Sequence, residues 1–242
     1  MLYIIGLGLN ENGISAEGLE IVKRCKTVYL ENYTVEFPYS VNSISELIGK
    51  KVKVVDREYV ESLEIIDESV KKSIALLVYG DPLMATTHIT IMDECRKSGV
   101  KYKVVHAASI LDAVSETGLQ IYKFGKIASM PKWDIQKKFE PMSFMETIME
   151  NKSIQAHSLI LCDIGLKFKD AMKQLKIAAE KANFKNIGNI VVCSKLGTPY
   201  SHVWYDFIQN LEEKNINAPF CIIIPGKMHF VEQEYLEGFR KL

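Results

Sequence analysis

Short apolar runs alternate with amphipathic stretches along almost the whole chain. LYIIGLG at residues 2–8 reads as a buried strand, and Ser15 stands where it can cap a helix carrying Leu19, Ile21 and Val22. TVYLE (27–31) predicts a second strand, SISELIG (43–49) a short helix, and KVKVV (51–55) a third strand. EIIDESVKKS (64–73) is helical in spacing and feeds the strand SIALLVY (73–79). A helix near 87–98 then leads to the strand YKVVH (102–106). Strands of this kind, apolar on both faces and separated by helices, predict a mostly parallel sheet covered on both sides.

The pattern continues in a second half. It predicts strands at FGKIASM (124–130), HSLILCD (157–163), NIVVCSKL (189–196) and APFCIIIPG (218–226). The helical segments are MSFMETIMEN (142–151), FKDAMKQLKIAAEKA (168–182), YSHVWYDFIQNLEEK (200–214) and FVEQEYLEGFRKL (230–242). Two α/β domains result, 1–108 and 109–242, hinged within about 107–124. MPKWDIQKKFEPM (130–142) has two prolines, an exposed-looking Trp133 and several charges, which predicts a mobile loop and a candidate docking surface.

Thirty basic and thirty acidic side chains cancel, so no long-range field favours nucleic acid or a membrane surface. MLYIIGLGL lacks a basic leader, and no apolar run approaches the roughly 20 residues of a membrane span, so a soluble, cytoplasmic protein is expected. Cys25, Cys95, Cys162, Cys193 and Cys221 form no CxxC pair and read as buried reduced thiols. The five histidines show no zinc-ligand spacing, so no metal is expected.

Chemistry concentrates where strands end. Gly6-Leu7-Gly8 follows the first strand, but a dinucleotide fingerprint needs a third glycine where Glu11 stands. Glu31, ending the second strand, could hold a ribose hydroxyl, which keeps a nicotinamide reading open beside that of a plain tight turn. VYGDPLMATTH (78–88) leaves the fourth strand through Gly80-Asp81-Pro82, a rigid turn that places Asp81 at a carboxyl end, where open α/β sheets bind ligands. Thr86 and Thr87 read as caps of the next helix. Ser109 after His106 reads as a cap or a ligand contact, and IYKFG (121–125) crowds the connector between halves. No residue stands out as a catalytic base.

Together MLYIIGLGL, LENYT (30–34), GDPLMATTH (80–88), HAASI (106–110), GLQIYKFG (118–125) and PGKMHFVEQEYL (225–236) resemble the diphthine synthases, a branch of the tetrapyrrole-methylase-like (class III) methyltransferases. The resemblance runs in order from residue 1 to about 239. It implies S-adenosyl-L-methionine bound in a cleft between two α/β domains, with S-adenosyl-L-homocysteine as product, and a homodimer. The implied reaction trimethylates the amino group of a modified histidine of translation elongation factor 2. Implied cofactor contacts fall at Leu9, Asp81, Met84, Ser109 and Ile110, and at Cys162, Leu196 and Phe220. Phe220 stands where relatives often carry His, and Ser194-Lys195-Leu196-Gly197 replaces an Ala-Arg-Ala-Gly run. A related methyltransferase acting on a tetrapyrrole or ribosomal RNA, and a non-catalytic cofactor-binding module, are the alternatives; neutral charge weighs against RNA.

Overall fold

Strands as apolar as IALLV are stable only where both faces of a sheet are covered. A computed structural model, which describes residues 1–241, places that strand at the centre of the first of two units, Met1–Asp112. The elements of this unit are β1 (Leu2–Gly6), α1 (Ala16–Arg24), β2 (Thr27–Glu31), α2 (Val41–Ile48), β3 (Lys53–Val55), α3 (Arg57–Glu61), α4 (Glu64–Lys71), β4 (Ile74–Val78), α5 (Ile89–Lys97), β5 (Tyr102–Val105) and the start of α6 (Ile110–Ala113). The strand order is β3-β2-β4-β1-β5, parallel throughout. Ile5, Leu30 and Leu77 pack with α1 and α2 on one face, and Ile4, Leu76 and Val78 with α3, α4 and α5 on the other. Each such side chain contributes roughly 1.5–3 kcal/mol by leaving water.

Two expectations for this unit change. Asp56, whose side chain accepts from the Tyr59 N–H at 2.9 Å, starts the additional helix α3. Neither threonine caps α5: His88 occupies the N-cap without a side-chain cap bond, and the Thr86 hydroxyl instead donates to the Pro82 carbonyl at 2.7 Å.

The second unit begins at Ala113. It holds β6 (Ala128–Met130), α7 (Ser143–Ser153), β7 (Ser158–Cys162), α8 (Phe168–Lys181), β8 (Asn189–Ser194), β9 (His202–Phe207), α9 (Ile208–Leu211), β10 (Phe220–Ile224) and α10 (Phe230–Glu237). Its sheet, β6-β7-β10-β8-β9, is mixed: of its four pairings only β6–β7 is parallel, so the parallel expectation fails here. The helix expected at 200–214 is instead the strand β9 followed by the one-turn helix α9, because Val203 and Tyr205 alternate inward and pair with Cys193 and Val191. Trp133 is half-buried rather than exposed; its indole N–H donates to the Pro141 carbonyl at 3.0 Å, and its ring packs on the main core. Among the thiols, Cys162 is half-buried and the other four are buried.

One buried carboxylate ties the start of this unit to its end. Glu232, in the first turn of α10, has a fully buried side chain and accepts from the Gln120 N–H (2.9 Å), the His229 N–H (2.6 Å), the His157 Nε2–H (3.2 Å) and the Lys123 ammonium. The Gly226 N–H donates to His157 Nδ1 at 2.8 Å, which leaves the ring proton on Nε2, facing Glu232. Burial pushes the Glu232 carboxyl up, but Lys123, the two amides and His157 outweigh it and hold it at about 2. Burial pushes the His157 imidazole down, against the pull of Glu232.

Both shifts act in one direction. The unfolded chain takes up protons that the folded unit refuses, first below the ordinary histidine value of 6.5 and then below the ordinary carboxyl value of 4.5. Urea unfolding followed from pH 7 downward is expected to show stability falling through both ranges, with Glu232 accounting for about 3 kcal/mol lost between pH 4.5 and 2. Glu232→Gln should destabilise the protein at pH 7 by about 3 kcal/mol, since it strands a half-buried Lys123 and weakens the His157 bond.

Candidate cofactor site

The carboxyl ends of β1, β4 and β5 meet in a space that admits almost no side chain. Past the strands, the Gly8 N–H donates to the Gly80 carbonyl (3.2 Å) and the Gly80 N–H returns a bond to Gly8 (2.9 Å). A Cβ on Gly6 would stand 2.6 Å from the Gly80 carbonyl oxygen and 2.8 Å from the Ala107 Cβ, so glycine is required there. Gly80 itself lies at φ 70°, in the left-handed region, and a Cβ there would meet only ordinary contacts, the Ala108 carbonyl oxygen at 3.8 Å and the Ser109 Cα at 3.9 Å.

Asp81, 5% exposed, crosses from β4 to β5. Its Oδ1 accepts from the Leu83 N–H at 3.0 Å, and its Oδ2 accepts from the His106 Nδ1–H at 2.7 Å and the Ala107 N–H at 3.3 Å. Three donors leave part of a carboxylate's roughly four lone-pair positions for a ligand hydroxyl or amine. The Pro82 carbonyl accepts from Thr86 Oγ1 and from the buried His88 Nδ1–H, at 2.9 Å, so the turn is clamped from below. The backbone of Leu9, a buried residue, accepts from the Tyr79 hydroxyl at 3.0 Å, and Met84 is half-exposed on the turn. Ser109 Oγ accepts from the Leu111 N–H at 3.1 Å, and Ile110 opens α6. Leu9, Asp81, Met84, Ser109 and Ile110 therefore all lie on the loops that leave β1, β4 and β5.

Glu31 takes no part in that constellation. It ends β2, is fully buried, and accepts from the Thr34 hydroxyl at 2.6 Å. Its carboxylate is thus held within its own loop.

In the second unit, register does the gathering. Leu161 pairs with Cys221 and Ser194 with Phe220, which sets Cys162, at the end of β7, opposite the start of β10. The Lys195 N–H donates to the Pro219 carbonyl at 2.9 Å and draws the buried Leu196 to the same end. Cys162, Leu196 and Phe220 so share one end of this sheet. A groove of about 580 Å³ lined by Lys176, Asn183, Phe184, Gly188 and Phe207 has no residue in common with them.

Sequence reading missed the His106–Asp81 bond and the His88 clamp. The two partners of the first lie 25 residues apart, and no periodicity joins them.

The family model of tetrapyrrole (corrin/porphyrin) methylases matches residues 1–212. A diphthine synthase of Methanothermobacter thermautotrophicus is 36% identical over 98% of this chain and 94% of its own. A diphthine methyl ester synthase of Candida albicans is 34% identical over 99% of this chain and 89% of its own. A solved structure of a diphthine synthase superposes with a TM-score of 0.88, at 32% identity, covering 99% of this chain and 96% of that one. The two-sheet architecture is the tetrapyrrole methylase fold.

Two glycine substitutions separate crowding from backbone strain at the strand ends. Gly6→Ala is expected to cost about 3 kcal/mol in urea unfolding, as overpacking against backbone does. Gly80→Ala, with room for its methyl group, should cost about 1 kcal/mol from the left-handed conformation alone.

Proposed function

We propose a function from one premise: the chain belongs to the tetrapyrrole (corrin/porphyrin) methylase family and, within it, to the diphthine synthases. It is a methyltransferase of diphthamide biosynthesis. Its methyl donor is S-adenosyl-L-methionine and its acceptor the amino group of the modified histidine on elongation factor 2, which it trimethylates. The observation that carries this reading is agreement with diphthine synthases over nearly the whole length of both chains.

The donor supplies an electrophilic methyl group on a sulfonium. The chain's own task is to hold that group and align the amine, and orientation of this kind contributes roughly 7–11 kcal/mol in favourable cases. The Asp81 carboxylate, fixed by three donors and still reaching solvent, suits a donor hydroxyl or amine. Backbone groups at Leu9, Ser109 and Ile110, the half-exposed Met84, and the Cys162, Leu196 and Phe220 cluster supply the other proposed contacts. A homodimer is favoured by Ile121, Tyr122, Phe230, Val231 and Tyr235, all exposed apolar residues flanking the Glu232 node.

Labelled S-adenosylmethionine incubated with elongation factor 2 carrying the unmethylated precursor should transfer label to the factor, and the product's mass counts the methyl groups. Cofactor binding without transfer would favour a binding module instead. Asp81→Asn is expected to weaken S-adenosylhomocysteine binding by about tenfold or more, roughly 1.4 kcal/mol, in calorimetry. Loss of methylation with cofactor affinity intact would refute the anchoring role.

A further inference from the structure

An amine attacks a methyl carbon only when it is neutral, yet an aliphatic amine is mostly protonated at pH 7. Adding three methyl groups to one ammonium releases three protons, so a group that takes a proton and passes it on must work repeatedly. Nothing in the sequence marks such a group.

The geometry at the end of β5 supplies one. The buried Asp81 carboxylate accepts from the His106 Nδ1–H at 2.7 Å, which leaves the lone pair of the neutral ring on Nε2. The ring is 65% exposed, and Asp81 is the one ionisable group bonded to it among the described residues. Its inner nitrogen is therefore fixed while its outer nitrogen opens to solvent. A buried carboxylate placed in this way sets both the tautomer and the orientation of a proton acceptor. His88 and His157 also have oriented rings, but both are fully buried, out of reach of a macromolecular substrate.

Close packing sets the pair among the proposed cofactor loops. Gly80 lies against Ala108 and Ser109, and Gly6 against Pro82 and Ala107, while Gly80 also bonds Gly8. The loop that carries His106 thus abuts the loops that carry Leu9 and Asp81. Tying these loops together does not by itself call for an imidazole, because the Ala107 N–H makes the same crossing to Asp81 Oδ2 at 3.3 Å. What the ring adds is the outward nitrogen.

We propose that His106 Nε2 takes the proton from the acceptor amine before each methyl transfer, with Asp81 holding the ring. This rests on the function proposed above. One ammonium N–H bond breaks as the Nε2–H bond forms, and the amine keeps the electron pair. That pair forms the bond to the methyl carbon as the carbon–sulfur bond breaks, its electrons remaining on sulfur. The imidazolium, paired with the Asp81 carboxylate, then returns its proton to water, which its exposure lets it meet directly.

His106→Asn is the discriminating variant, since the Asn side-chain amide can still donate to Asp81 while Nε2 is lost. In the transfer assay on the precursor factor, kcat is expected to fall by roughly 10²-fold or more. KM for the factor, and S-adenosylhomocysteine affinity by calorimetry, should stay within about threefold of wild type. A residue that only braced Asp81 would be replaced by Asn without loss, or its loss would weaken the cofactor. Wild-type kcat in His106→Asn, or a fall in kcat matched by an equal fall in S-adenosylhomocysteine affinity, overturns the proposal and leaves the function standing. A wild-type enzyme that labels no factor refutes the function reading and the proton acceptor together.

Discussion

The bond between Asp81 and His106 holds the carboxyl edge of the first sheet in one shape. Parallel strands end without any hydrogen bond to close them, so loops leaving neighbouring strands are free to diverge. Here one carboxylate takes donors from its own turn and from the loop after β5, and the reciprocal Gly8–Gly80 bonds draw in the loop after β1. Three loops from three distant parts of the sequence become a single surface. Because Gly6 has no side chain, the backbones approach closely enough for this to happen.

The second unit solves a similar problem with the same chemistry and a different geometry. Glu232 is the third residue of a helix, where a carboxylate is already favoured by free amides and the helix dipole. It then collects a lysine and a histidine from segments more than 70 residues upstream. Desolvation opposes each of these charges, and a full set of partners overcomes it. Glu31 is the contrast. It is as deeply buried as Glu232 but has a hydroxyl where Glu232 has an ammonium.

Much of the framework was legible from residue pattern alone, because doubly covered strands such as IALLV and FCIII have few other places to go. β9 was misread because Trp204, at an outward position, joins Val203 and Tyr205 in one apolar run, so the alternation of HVWYDF is blurred at its centre. The mixed pairing of the second sheet was hidden for another reason: strand direction leaves no trace in composition. At the site, Gly80-Asp81-Pro82 could be read as a constrained turn, since glycine and proline act locally. The threonines misled because a hydroxyl before a helix usually caps it, whereas Thr86 turns back to Pro82. His88 carried no local sign of its role; its Nδ1–H donates to a carbonyl six residues back.

The position of β10 has a consequence for how the protein is made. This strand lies between β7 and β8, so both of its neighbours are synthesised before it. On the ribosome, residues 1–112 can complete their sheet while the rest of the chain is still emerging. The second sheet cannot follow suit. Until residues 220–224 leave the exit tunnel, β7 and β8 each present an apolar strand edge with nothing to pair against. Translation therefore imposes a waiting period on half of the molecule, and chaperones would find their substrate in that interval.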